Sequence, residues 1–367
     1  MESDLKKIEK TYLNAKKDDI SSLNNENSIK QLKESLKNLK NCETYLKKNE
    51  PLFFENLEII KFLESRKESN FYSIRFKTRP KVKNLVLKVI LSYKREKEIR
   101  QQQALNNNKL QNKNIISLFG FSQIKPENCL CLVLEEAKFG NIRNFQKTVL
   151  KTFSESMLCF LASQILDGLE YCHNCKIAHM DIKPENIVVD EFLNFKIIDF
   201  SYSFNFKNKE PNEIIKLPFI GTDLYMPLEI LESEKIICKD LNKVDLYSLG
   251  VTLYNLAFGC YPYNLSVDDE KETVVKKLKK EKLILDKRAG FSSYFLEFLS
   301  LLLEKNIIKR LNLYEAKEHY WVKGVKIIMD EKEKYSDIKL FLNSISNGNI
   351  KAFDEYINKP NKSNKFK

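Results

Sequence analysis

The feature that most constrains the fold is a change of pattern partway along the chain. Between about 55 and 135 the sequence is written in short β-branched and aromatic runs: Leu57–Leu63, Phe71–Lys77, Leu85–Leu91, Ile115–Phe121 and Cys129–Glu135. A turn at Thr78-Arg79-Pro80 separates the second and third, and a charged helix over Tyr93–Leu110 precedes the fourth, running into an Asn-rich insertion at 106–114. After Phe139-Gly140 the pattern is mainly helical to about 324, broken by short strands at Ile187–Val189 and Phe195–Ile198. Strands first and helices second predict an α+β protein with a small sheet lobe and a larger helical lobe. Residues 1–54 form a Lys- and Asn-rich extension in which Ile29, Leu32, Leu36, Leu39 and Leu46 recur at heptad spacing behind a cap at Asn27 or Ser28. That is a helix packed on the domain behind it, available for partner docking, with too few heptads for a coiled coil. Residues 325–367 form a second extension with a basic tail.

Hydrophobic residues make up 43% of the 367, enough to build a core of this size. The formal net charge is +12, yet only 8 of the 62 basic residues are Arg. Nucleic-acid readers favour Arg for its bidentate fork, so the charge predicts no nucleic-acid partner. No apolar run approaches the roughly 18 residues a membrane span needs. Position 2 is Glu and the first residues lack a secretory apolar core, so the expectation is an intracellular, cytoplasmic protein with its eight Cys reduced. Cys172-His173-Asn174-Cys175 has zinc-like spacing without a second pair, and reads as an ordinary helix end. The basic cluster Arg66, Lys67, Arg75, Lys77, Arg79, Lys81 and Lys83 reads as a solvated hairpin edge.

The chemistry is concentrated in Ala178-His179-Met180-Asp181-Ile182-Lys183-Pro184-Glu185-Asn186-Ile187-Val188-Val189, a loop between a helix over Ser156–His173 and a strand. Thirteen residues beyond Asn186, Lys196-Ile197-Ile198-Asp199-Phe200-Ser201 is a strand ending in an acid. Together these segments closely resemble the eukaryotic protein kinase family, of the serine/threonine type, over roughly 55–324. The resemblance implies a bilobal kinase-like fold (sheet lobe 55–135, hinge 135–141, helical lobe 142–324) that binds ATP and Mg²⁺ and phosphorylates Ser or Thr of protein substrates. It assigns Asp181 to the substrate hydroxyl, Asn186 and Asp199 to the metal, and Lys183 to catalysis beside Asp181. Lys88, in Leu85-Val86-Leu87-Lys88-Val89-Ile90, falls where the family grips the α- and β-phosphates, with Glu98 as its helix partner and Glu96 as the rival. Leu132-Val133-Leu134-Glu135-Glu136-Ala137 resembles the hinge, whose backbone at Glu135 and Ala137 would meet adenine, with Leu134 as gatekeeper and Asn141 near the ribose. Glu229 is implied to pair with Arg310, Asp245 to brace the catalytic loop, and Thr222 to contact Asp181 and Lys183. His319-Tyr320-Trp321 resembles the motif that closes the lobe. Glu185 hints at basic residues beside the phosphoacceptor.

The chain departs from the family at three places. No Gly occurs before position 120, so the phosphate-binding glycine loop is missing; Glu64, Arg66 and Ser69 stand in its place. Side chains there would hold the loop away from a nucleotide, predicting weaker ATP binding, offset if Arg66 or Lys67 reaches a phosphate. Met180 replaces the Arg that in many kinases reads a phosphorylated activation loop, so activity is expected not to need that modification at Ser201 or Ser203. Ser201 follows Asp199-Phe200 where Gly is usual, which would bias this segment towards the metal-binding arrangement. The alternative reading is a scaffold of kinase shape with little or no turnover.

Overall fold

The computed structural model describes residues 57–66, 69–77, 85–90, 112–124, 129–146, 153–190, 192–217, 221–285 and 290–324. The N-terminal helix, the Tyr93–Leu110 helix with Glu96 and Glu98, and the C-terminal tail lie outside the described residues. The chain divides into two compact units, with 112–115 grouped with the described residues from 137 to 324 rather than with the sheet.

The first unit is a five-stranded antiparallel sheet: β1 (Leu57–Arg66), β2 (Ser69–Phe76), β3 (Leu85–Ile90), β4 (Leu118–Ile124) and β5 (Cys129–Glu135), in the order β1-β2-β3-β5-β4. Side chains alternate across a strand, so the odd positions Leu85, Leu87 and Val89 of β3 join Leu57, Ile59, Tyr72, Ile74, Cys131 and Val133 in one buried cluster. The even positions face the other way, where Ile90, Leu118 and Leu132 form a second cluster. β1 runs on to Arg66, which pairs with Ser69 and leaves a two-residue connection. Register shifts between Ile59 and Lys61 and between Phe62 and Glu64 interrupt this edge strand.

β4 starts later than the sequence pattern suggests. Ile115 belongs instead to the second unit, where it forms a parallel bridge with Ile197. The cause is Asn114, fully buried and held by its side-chain amide to Gln164 Oε1 and the Phe195 carbonyl, with its N–H on Asn112 Oδ1. This polar anchor outcompetes continuation of the strand.

The second unit contains α1 (Ile142–Phe145), α2 (Glu155–Asn174), α3 (Leu228–Ser233), α4 (Leu241–Phe258), α5 (Lys271–Lys280), α6 (Ser293–Leu302), α7 (Leu313–Glu318) and α8 (Tyr320–Lys323). Ser154, Ser292 and Asn312 cap α2, α6 and α7 with their side chains, and Glu315 completes a capping box. α4 is buried on nearly every side, which marks it as the central helix. Beyond the two expected short strands, β7 (Ile187–Val189) and β8 (Phe195–Ile197), four more appear: β6 (Ile177–Ala178) pairs with β9 (Phe204–Asn205), and β10 (Ile214–Lys216) with β11 (Lys235–Ile237). Arg310, buried, forks onto Glu229 at 2.7 and 3.2 Å and also donates to the Glu304 and Lys243 carbonyls. Trp321, buried against Phe295 and Phe298, donates its indole N–H to Glu155, which also receives Ser292.

Candidate active site

Four of the side chains singled out in the sequence converge in the second unit. Asp181 is buried, and each carboxylate oxygen is engaged. Oδ1 accepts from Thr222 Oγ1 at 3.0 Å; Oδ2 accepts from Asn186 Nδ2 at 2.8 Å and lies 2.8 Å from Lys183 Nζ. Lys183 also donates to Thr222 Oγ1 at 2.6 Å, closing the ring. Gly221 precedes Thr222 at φ +148°, and a Cβ there would come within 2.2 Å of Met226 Cε. The Met226 methyl could move aside, but the backbone at this φ strains any residue with a Cβ, so glycine suits the position before Thr222.

Asn186 spends both amide N–H bonds on Asp181, one on its carbonyl and one on its carboxylate, which turns the amide oxygen away as the remaining donor atom for a cation. Its own carbonyl accepts from the N–H of Ile198, one residue before Asp199. The two candidate metal residues are thereby tied by backbone. One carboxylate and one amide oxygen are hard donors that suit Mg²⁺, which usually keeps most of its ligands as water and phosphate. The donor set therefore fits that ion. Among the described residues no cluster of three or more His, Cys, Asp or Glu is placed to hold a metal, and this includes the Cys172–Cys175 helix end.

The loop is held by one stripe of α4. Asp245, Ser248, Thr252 and Asn255 recur at helical spacing, all buried. Asp245 accepts the N–H groups of His179 (2.9 Å) and Met180 (2.7 Å) and sits 2.7 Å from His173 Nε2. Ser248 donates to the Tyr225 carbonyl and Thr252 to the Ile182 carbonyl, while Asn255 accepts from Arg143. Burial opposes the charge on Asp245, but the His173 hydrogen bond, both histidine rings and the Met180 N–H outweigh it and hold the carboxyl below the usual carboxylate range. His179 Nδ1 accepts from the Asp181 N–H and Nε2 faces the Ile198 carbonyl, so the ring links the loop to the residue just before Asp199. Its face meets the buried Phe200 edge-on at 4.9 Å. Met180 and Asp199 both adopt φ of +66°, strained for non-glycine residues and flanking the candidate chemistry. His173, His179, Ser248 and Thr252 carried no role in the sequence reading; Ser248 and Thr252 are signalled by helical spacing from Asp245, which the apolar surroundings of α4 mask, whereas His173 on α2 and His179 in the loop meet Asp245 through the fold.

The remaining candidates are shared between the two units. In the first unit, Lys88 is buried on the even face of β3, opposite Phe71 and Leu132, with its ammonium 5.8 Å from the Phe71 ring centre. Glu135 ends β5 and closes a loop with Ser117 through its N–H and its carboxylate. In the second unit, Ala137 accepts from the Gly140 N–H, and Asn141 caps α1 by accepting from the Asn144 N–H, so part of its amide has a structural task. Glu98 falls outside the described residues.

A family model described as protein kinase domain matches residues 73–322. The hairpin turn bearing Glu64, Arg66 and Ser69 falls outside the match. Among curated proteins the chain is similar to probable serine/threonine-protein kinase MARK-B of Dictyostelium discoideum, 31% identical over 248 residues, covering 66% of this chain and 33% of that protein. It is similar to an Aurora kinase of Debaryomyces hansenii, 28% identical over 271 residues, covering 73% and 62%. It is also similar to Aurora kinase B of Mus musculus, 28% identical over 280 residues, covering 75% of each. The chain thus spans a third of the first relative and less than two thirds of the second.

Proposed function

Because the chain belongs to the protein kinase family, we propose that it is a serine/threonine kinase moving the γ-phosphoryl group of ATP to a Ser or Thr hydroxyl of a protein substrate, with 55–324 as its catalytic domain. The observation that carries this is the Asp181 constellation, a buried carboxylate held from both sides by Thr222, Lys183 and Asn186. Asp181 orients the substrate hydroxyl and takes its proton as the O–H bond breaks and the new O–P bond forms; the electron pair of the broken P–O bond leaves with ADP. Lys183 keeps a fixed positive charge 2.8 Å from that carboxylate, where charge on the transferring group can be stabilised without reorganisation. Asn186 and Asp199 would hold Mg²⁺, whose contribution when bound is to neutralise phosphate charge. Lys88, with Glu98 as its helix partner, would grip the α- and β-phosphates, while the backbone at Glu135 and Ala137 would meet adenine and Asn141 would lie near the ribose. Ser/Thr preference is supported by Lys183, by Thr222 and by the likeness to MARK-B, named a probable serine/threonine-protein kinase.

The test is transfer of radiolabelled phosphate from ATP to a generic protein substrate, wild type against Asp181→Asn. A well-placed base contributes about 10²–10⁴-fold, so turnover should fall by that factor while the circular dichroism spectrum stays. A second reading, a scaffold without turnover, draws on the missing glycines of the β1–β2 turn. It predicts no transfer by the wild type above the Asp181→Asn background.

A further inference from the structure

Glu185, read alone, is a half-exposed acid in the turn between Lys183 and Asn186, and would draw a basic side chain of the substrate. It is not alone. Arg143, projecting from α1, places Nε 3.4 Å from Glu185 Oε1 and donates through a terminal nitrogen to Asn255 Oδ1. Asn255 is the last member of the α4 stripe that fixes the catalytic loop, and it is itself anchored to the Cys260 carbonyl. The same helix face therefore sets Asp181 and the Arg143 guanidinium in one frame. Tyr225, three residues after Thr222, completes the surroundings: burial first, then its hydrogen bond to Tyr261 and the charge of Glu185 push its hydroxyl pKa up, while Arg143 opposes. Glu185, four residues after the residue assigned to the substrate hydroxyl, thus forms a charge pair with Arg143, both partly open to solvent.

We propose that Arg143 is a specificity-determining residue: held by Asn255, it cancels Glu185, so the wild-type enzyme does not select basic residues flanking its phosphoacceptor. This rests on the kinase reading above. Each half of the pair hides the other's preference, and removing either one reveals it, with opposite signs. An exposed pair of this kind has a modest effect, so shifts of about two- to fivefold in relative kcat/KM are expected.

The experiment uses the full chain with sets of short Ser-containing peptides identical except for Arg, Ala or Glu, scanned through three positions on each side of the Ser. Wild type should treat the Arg and Ala peptides alike. Arg143→Ala should favour an Arg peptide by about two- to fivefold, and Glu185→Gln should favour a Glu peptide by about the same factor, at an overlapping position. The double variant should return both ratios to near one. A merely structural pair would lower turnover without reversing preference, and if one variant misfolds the other still reads one sign. A strong wild-type preference for Arg peptides overturns the inference, as does an unchanged ratio in the folded single variants. Absence of wild-type transfer to any peptide or protein overturns the kinase reading together with it.

Discussion

Asp245 spends its carboxylate on two consecutive backbone N–H groups and on His173, with no solvent contact. Because its folded-state pKa lies below the ordinary carboxylate value near 3.9, it contributes stability that is complete above that value and fades as pH falls through the folded one. Asp245→Asn should be less stable than wild type at pH 7, and the gap should narrow below about pH 4 as the wild-type group protonates. Thermal melts across pH 7 to 2.5 check this, and a gap that widens towards acid pH contradicts it. The Arg310 guanidinium, buried with two carbonyls and Glu229, presents a larger debt. Arg310→Met leaves the Glu229 carboxylate without its fork, and breaking such a pair costs about 3–5 kcal/mol, readable as a lowered urea midpoint. A shift under about 1 kcal/mol would mean water replaces the guanidinium.

At the scale of elements, the β1–β2 hairpin closes through Arg66 opposite Ser69, the positions expected to hold glycine. Residues other than glycine at these positions are expected to keep backbone N–H groups at a distance from a phosphate. The triple change Glu64→Gly/Arg66→Gly/Ser69→Gly should bind MgATP more tightly by isothermal titration, and equal or weaker affinity refutes the idea. The β10–β11 ribbon gives a backbone reason for order between Asp199 and Leu217. Ile215 and Ile236 point inward and are buried, Ile214 and Ile237 outward, and flanking bonds from Cys238 to Glu213, Lys239 to Pro211 and Leu217 to Glu234 extend the ladder. Ser203 is buried with its hydroxyl on the Phe200 carbonyl, so Ser203→Ala disturbs packing and Ser201 is the fairer probe of modification. Phosphatase treatment of the full chain should change turnover by less than about twofold, whereas Ile215→Asp, which buries a charge, should abolish it. A tenfold loss on dephosphorylation would show that the ladder alone does not order the segment. This ribbon was not legible in the sequence, because its two three-residue strands lie some twenty residues apart and four of their six side chains are exposed. β5, by contrast, could be read at Cys129–Glu135 from its continuous apolar run. The Asp181–Asn186 loop was legible because its run of residues resembles the protein kinase signature; Arg143 was not, since its partners Glu185 and Asn255 are 42 and 112 positions away.

Across the whole molecule, the excess of Lys over Arg takes on structural meaning. The described arginines with defined side chains are each committed to a carboxylate: Arg75 to Glu58, Arg143 to Glu185, Arg310 to Glu229. What the surface offers to solvent is mainly Lys, on helices such as α5, whose Lys277 and Lys279 are already paired with Asp269 and Glu232. A formal charge of +12 spread this way attracts polyanions without a fork to read them. Binding to a labelled 20-base-pair duplex, followed by fluorescence anisotropy, should therefore show the signature of counterion release alone. Affinity should fall steeply between about 50 and 200 mM salt, to no tighter than about 10⁻⁶ M near physiological salt, with no difference between unrelated sequences. Submicromolar, sequence-dependent binding at that salt would mean that the basic surface has a task of its own, separate from phosphoryl transfer.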